Sequence, residues 1–393
     1  MKLAGNIARL GTESAFEVLA RANAIDREAA RKGEPRMINL GIGQPDFPTP
    51  CHIVEAAVKA LRDGHHGYTP ANGIPELREA IAADILKYRG QEVSPDQIVA
   101  VPGGKVTMSF AIMMFGEPGV EIMYPDPGFP IYRSMIGFTG ATAVPMKLRE
   151  ANGFSFDAEE VLANITERTR LIIVNSPANP TGGNVSRAEV EKLVAGLARF
   201  PDVAIMSDEI YSRMTYGAPH VSFLEFPEIR DRLIMLDGAS KTYAMTGWRL
   251  GWAVWPGELA ELATRMAINI HSCVNAATQH AGIAALTGPQ DAVDTMMEAF
   301  AERRRFIVDR LNALPGVSCI EPLGAFYAFP NITGTGMNAR AFQNEVLSEA
   351  HVATIAGTSF GDMGEGFVRF SYAASKEAIS EALDRIEAFL KQR

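Results

Sequence analysis

Lys241 stands in the run from Leu236 to Trp252, LDGASKTYAMTGWRLGW, where one lysine and one arginine are set among small and apolar residues. A protonated amine is a poor nucleophile, but a lysine withdrawn from water beside other positive charge gives up its proton and can form an imine with a carbonyl. Ser240 offers a hydroxyl and Arg249 a fixed guanidinium, a pair that suits a phosphate monoester. An aldehyde on the lysine and a phosphate on the other two outline a site for pyridoxal 5'-phosphate. Taken alone, a lysine in a glycine-rich loop reads as readily as a solvated surface group. Two tryptophans and a methionine among three glycines argue that this loop enters the protein, because so much apolar surface is unfavourable in water.

Other stretches offer matching chemistry. Asp208 follows the strand-like run Val203 to Met206, at the carboxyl end where open α/β sheets build their sites. The loop Asn175 to Gly182 is broken by Pro177 and Pro180, so it cannot be helical, and Asn179 fixed there can donate to an oxygen without titrating. Pro102-Gly103-Gly104-Lys105 lies between a strand-like run, Gln97 to Val101, and an apolar helix through Phe115. The first N–H groups of such a helix are unpaired and favour an anion. The spacing is neither a Walker loop nor Gly-x-Gly-x-x-Gly, so a nucleotide site has little support. Phe129, held between Pro127 and Pro130, can stack on a flat ring or belong to the core. Gly43, in the irregular loop Gly41 to Pro50, brings backbone close to a ligand or simply turns the chain between domains. Arg369, in the strand-like run Gly366 to Ser371, either faces solvent or clamps a carboxylate through two parallel bonds.

Together these motifs resemble the class I/II aminotransferases, the fold-type I pyridoxal phosphate enzymes, and most of all those of the aspartate type. Matching stretches lie near residues 41–47, 68–78, 102–105, 125–132, 175–182, 207–211, 239–251 and 366–373, so the resemblance spans nearly the whole chain. It implies Asp208 on the pyridine nitrogen, Asn179 and Tyr211 on the ring's phenolic oxygen, and Phe129 stacked on the ring. It further implies the N–H groups of Gly104 and Lys105 on the phosphate with Ser240 and Arg249, and Gly43, Asn179 and Arg369 at the substrate carboxylate. Tyr68 would reach the phosphate bound by the neighbouring subunit of a homodimer. A carboxylate beside the pyridine nitrogen keeps it protonated, so that the ring accepts electrons. Gly238 departs from the pattern: many relatives carry a hydroxyl residue there, and its loss removes one phosphate ligand.

The implied activity is transfer of the amino group of an L-amino acid, aspartate first, to a 2-oxo acid such as 2-oxoglutarate, with Lys241 as covalent anchor and proton carrier and Asp208 and Tyr211 as its catalytic partners. No second cation stands out for a side-chain carboxylate, because Lys105 lies in the phosphate loop and Met108 and Ile112 are apolar. Alanine, branched-chain and aromatic donors therefore stay open, as does a carbon–sulfur β-lyase on the same fold. A ligand-sensing regulatory module would need a DNA-binding segment, and residues 1–35 show no helix-turn-helix.

A scaffold must hold these residues together. From Ala141 onward strand-like runs alternate with helical ones, a pattern that requires crossover helices and a mostly parallel sheet. The expected fold is α/β, with a mostly parallel seven-stranded sheet in a large cofactor-binding domain over 49–289 and a smaller α+β domain over 290–393. Residues 1–48 form an arm and helix joining the small domain, the helix running from Ser14, its N-cap, to Lys32, with Gly33 as its stop. A long helix is predicted over Gln290 to Leu314, and strands at Ser318 to Ile320 and Ala325 to Phe329.

Composition narrows the partners. With 393 residues, 47% hydrophobic and 21% charged, the chain reads as globular, and its net charge of -9 gives no basic footprint for nucleic acid or an anionic membrane. Cys51, Cys273 and Cys319 lie too far apart for a zinc motif and suggest a reducing compartment. His65 and His66 are adjacent in a loop and point apart, so no metal site is expected. No run approaches the roughly 20 apolar residues of a membrane span, nor does the start resemble a signal peptide, so a cytoplasmic enzyme acting on small amino acids and 2-oxo acids is expected.

Overall fold

Seven strands between Ile98 and Val254 form one sheet in the computed structural model, which describes residues 1–393. They are β1 (Ile98–Val101), β2 (Glu121–Asp126), β3 (Thr142–Lys147), β4 (Thr169–Asn175), β5 (Ala204–Asp208), β6 (Leu233–Gly238) and β7 (Gly251–Val254). Their order across the sheet is β1-β7-β6-β5-β4-β2-β3. All pairs from β6 to β3 are parallel, and β7 alone runs antiparallel, between β1 and β6. The six parallel strands therefore deliver their carboxyl ends to the same edge.

Alternation along the strands explains the layers. Ile172 and Val174 of β4 pack with Val190, Leu193 and Leu197 of a crossover helix, while Leu171 and Ile173 face the opposite layer with Phe110 and Ala263. Successive side chains of a strand point to opposite faces, so a strand buried on both reads as a continuous apolar run. That is why Arg170 to Val174 shows no polar alternation.

A second apolar core holds Phe300, Ile307 and Leu311 of the helix Asp291–Asn312 against Phe342, Phe370, Ile379 and Leu383. It surrounds a three-stranded antiparallel sheet in which Val368–Ser371 lies between Ile355–Ala356 and Tyr327–Ala328. The segment after the first helix joins this unit, because Ile38–Asn39 pairs in parallel with Val352–Ala353.

Helix α1 spans Ser14–Lys32, and Gly33 ends it in the left-handed region at φ 72°, with its N–H on the Ala29 carbonyl. Two local expectations are corrected. Ser14 is the first helical residue rather than the cap: Glu13 stands in the extended cap position and its side chain caps nothing. Ser318 to Ile320 is not a strand, since Ser318 makes only an isolated bridge to Asn331 and the Cys319 backbone is tied to Asn312 instead. No helix is long and apolar enough to cross a membrane.

Candidate active site

Strand ends and the loops after them enclose a cavity of about 340 Å³. Every residue expected at the site lines it except Tyr68. Tyr68 is 93% exposed on the outer surface.

Lys241 lies in a short helix, Ala239–Thr242, that begins directly after β6. Its Nζ donates to the Gly43 carbonyl at 2.5 Å. Burial, then the positive charges of Arg369, Arg249 and Lys105, pull its pKa from 10.5 down to about 7, with Asp208 opposing. The loop that follows is pinned inward: Trp248 Nε1 donates to Thr49 Oγ1 at 3.0 Å, and Thr49 Oγ1 donates to the Ala244 carbonyl at 2.8 Å. Met245, Leu250 and Trp252 are buried, as the apolar content of this loop predicts.

Asp208 ends β5 and is 2% exposed. Its Oδ2 accepts from the Tyr132 hydroxyl at 2.5 Å and its Oδ1 from the Ile210 N–H at 3.3 Å. Burial raises its pKa to about 7 against the pull of those two donors. At the end of the adjacent strand, Asn175 Nδ2 donates to the Asp208 carbonyl at 3.1 Å, and its Oδ1 accepts the Asn179 N–H at 2.9 Å. Register thus carries the position of one strand end to the proline-broken loop beside it.

Arg369 is 4% exposed, so the solvent-facing alternative for this strand arginine is excluded. Its Nη1 donates to Asn179 Oδ1 at 2.8 Å and its Nη2 to the Gly41 carbonyl at 2.6 Å. Its Nε is buried without a partner. A guanidinium held this way by neutral oxygens keeps a full positive charge facing the cavity. The ring of Tyr327 lies 4.6 Å from the guanidinium carbon, and the Tyr327 hydroxyl meets that of Tyr211 at 2.8 Å. A β-carbon on Gly43 would come within 2.6 Å of the same hydroxyl, so only glycine lets this loop approach.

The phosphate-cradle expectation has a steric counterpart. Helix α2 spans Gly104–Phe115, preceded by Gly103 at φ 88°. A β-carbon on Gly103 would collide with Arg249 Nη2, and one on Gly251 would fall 2.6 Å from the Gly104 nitrogen. Arg249, itself at φ 57°, is held by its Nη1 on the Thr246 carbonyl at 2.8 Å. Glycine, helix N-terminus and guanidinium therefore converge without obstruction, the donor set that an anionic oxygen cluster requires. Phe129 lines the cavity and packs edge-on to Tyr132 at 6.0 Å between ring centroids.

Three residues escaped the reading of motifs: Tyr132, Tyr327 and Glu13. Tyr132 and Tyr327 sit in stretches already singled out, but nothing in their spacing tells where a hydroxyl turns. Glu13 reads as an ordinary polar residue before a helix; in the structure it lines the cavity and pairs with the Lys105 ammonium. No cluster of potential metal ligands is present, and His66 makes only a local bond to the Leu61 carbonyl at 2.7 Å.

An amine whose proton affinity is lowered to near neutrality and a buried carboxylate, with an anion cradle and a fixed guanidinium in the same cavity, fit the needs of pyridoxal phosphate chemistry on an α/β scaffold. Comparison with known proteins agrees. The sequence pattern of the family described as aminotransferase class I and II matches residues 35–386. The chain is 41% identical over 367 residues to an aspartate aminotransferase of Pyrococcus horikoshii, covering 93% of each. Among solved structures, an aspartate aminotransferase from Rhizobium meliloti superposes with a TM-score of 0.93 at 34% identity, covering 100% of this chain and 99% of that one. An alanine aminotransferase from Pyrococcus furiosus gives 0.92 at 34% identity, covering 100% of both. The chain belongs to the aminotransferase class I and II family, and it is a pyridoxal phosphate-dependent aminotransferase.

Proposed function

We propose that this enzyme moves the amino group of L-aspartate to 2-oxoglutarate, and that the cavity residues divide the work as follows. Lys241 is the anchoring amine. The N–H groups of Gly104 and Lys105, the Ser240 hydroxyl and Arg249 hold the phosphate, and Phe129 covers one ring face. Asp208 faces the pyridine nitrogen; a positive charge there draws its raised pKa back down, so that the carboxylate is ionised where it is needed. Asn179 and Tyr211 donate to the phenolic oxygen. Bound in this way, pyridoxal phosphate supplies an aldehyde carbon for the lysine and the donor amine in turn, and a ring that accepts electrons from the substrate.

Arg369 grips the donor's α-carboxylate with its fork, and the Gly43 backbone lies against the same group. Lys241 Nζ, its proton affinity lowered by burial and the neighbouring cations, would take the proton from the donor's α-carbon and hold it in the cavity. The single observation that supports this reading most is the convergence of Lys241, Asp208 and Arg369 on one cavity from three distant segments.

Around this site the chain divides into a large cofactor-binding domain over 49–289 and a small one over 290–393, joined by the arm 1–48. The exposed ring of Tyr68 supports a homodimer in which it completes the phosphate site of the neighbouring subunit. Three free thiols are consistent with a cytoplasmic location.

Aspartate comes from the names of similar proteins; the ion pair between Lys105 and Glu13 favours uncharged donors as the second reading. A panel of aspartate, alanine, leucine and phenylalanine against 2-oxoglutarate and pyruvate, followed by cofactor absorbance, decides between them. Release of pyruvate and ammonia without an acceptor would instead mark a β-lyase. Lys241→Ala should abolish both the cofactor–lysine absorbance and turnover, and normal turnover in that variant would refute the assignment.

A further inference from the structure

Four cationic side chains line the cavity: Lys105, Lys241, Arg249 and Arg369. The proposed site uses three of them, for the anchor, the phosphate and the α-carboxylate. Only the Lys105 ammonium remains for a second substrate carboxylate, since the phosphate loop engages the Lys105 backbone and not its side chain. That ammonium is already paired with the carboxylate of Glu13, another lining residue. It also lies 5.2 Å from the ring centroid of Phe129 and 5.7 Å from that of Phe16, so the pair sits between two aromatic walls.

We propose that Glu13 determines the donor preference of this enzyme: it neutralises Lys105 when the bound side chain is uncharged, and yields Lys105 to the second carboxylate of a dicarboxylic substrate. The inference rests on the site proposed above. Two carboxylates on one partly exposed ammonium repel each other, so an acidic substrate and Glu13 compete for it. The structure makes the exchange feasible. Glu13 stands in the cap position of α1, but its side chain makes no capping bond, so leaving Lys105 does not strip the helix of a cap. The Lys105 side chain is 40% exposed and that of Glu13 18%, so solvent screens the pair from the lysine side and weakens it enough for a second carboxylate to compete. With Glu13 in place, the pair presents no net charge beside Phe16 and Phe129, a surface suited to apolar side chains. With Glu13 displaced, it presents one positive charge. The same cavity can then serve a dicarboxylic acceptor and an uncharged donor in alternate half-reactions.

The test compares wild type, Glu13→Gln and Lys105→Gln in two measurements on the cofactor-loaded enzyme. The first is the ratio of kcat/KM for aspartate to that for alanine. The second is the ratio of calorimetric affinities for succinate and butyrate, which differ by one carboxylate and do not react. Glu13→Gln frees Lys105, so both ratios should rise at least tenfold; Lys105→Gln should lower both at least tenfold. Equal changes for acidic and uncharged ligands, or no change in either ratio on Glu13→Gln, would overturn the role of Glu13. If the wild-type enzyme transaminates no donor, the proposed function fails by itself, and the succinate-to-butyrate ratio still decides what Glu13 does.

Discussion

Lys241 should take up pyridoxal phosphate with a pH dependence unlike that of any exposed lysine. Its pKa of about 7 leaves about half of the amine uncharged at pH 7. A lysine at the ordinary value of about 10.5 has only about 0.03% uncharged there, so the reactive population differs by about a thousandfold. Burial is the first cause, and the charges of Arg369, Arg249 and Lys105 follow. Apoprotein mixed with pyridoxal phosphate in a stopped-flow spectrometer, from pH 5.5 to 9, gives the rate of cofactor–lysine absorbance growth, with Nα-acetyllysine measured in parallel at each pH. The apparent enzyme rate should climb about tenfold per pH unit below 6.5 and level off above about 7.5, while acetyllysine keeps rising. Arg369→Gln should move the midpoint upward, because one of the charges that expel the proton is gone. A rate that rises unabated to pH 9, or a midpoint unmoved or lowered by Arg369→Gln, would refute the reasoning. The unfolded lysine keeps its proton up to about pH 10.5 and the native one only up to about 7, so apoprotein stability should rise with pH across that window. Lys241→Met should remove this slope and stabilise the apoprotein at pH 6 by up to about 5 kcal/mol, because each tenfold loss of proton affinity on folding costs about 1.36 kcal/mol.

Replacing Arg369 by Lys keeps a charge but loses the fork, so kcat/KM for the amino donor should fall about a hundredfold, or about 3 kcal/mol, in steady-state assays. Asp208→Asn removes the carboxylate that matches a protonated ring nitrogen; the half-reaction with the donor should slow at least about a hundredfold in single-turnover absorbance, with the lysine–cofactor link still formed. Arg89 is buried between two carboxylates, with Nε on Glu209 at 2.9 Å and Nη2 on Asp237 at 2.5 Å. Arg89→Met should therefore cost about 3–5 kcal/mol in urea unfolding, because it takes away the one guanidinium that Glu209 and Asp237 share in the interior. Although burial raises the Glu209 carboxyl, His220 and Arg89 hold it down to about 2, so its contribution to stability is complete above about pH 4.5 and disappears as the pH falls toward 2.

The sequence by itself determined which residues could do this chemistry and the kind of scaffold that would carry them. Apolar runs too uniform for a half-exposed sheet, separated by helical segments, demand a parallel sheet buried on both faces, and glycine, proline and asparagine mark the loops at its strand ends. Gly33 ends its helix where the left-handed requirement predicts, and Lys241, Asp208, Asn179 and Arg249 stand in stretches whose composition suits no plain structural role. What only the tertiary structure decided is where side chains separated by long stretches of chain turn. The Tyr132 hydroxyl on Asp208, Tyr327 between Tyr211 and Arg369, and the buried rather than solvent-facing Arg369 all depend on packing between segments far apart in sequence. The same holds for Glu13 on Lys105, a pair 92 residues apart. Periodicity encodes which face of its own element a residue occupies, but a pairwise contact is fixed by how two elements dock. Charge compensation in the cavity, and with it the preference for one donor over another, is a property of that docking.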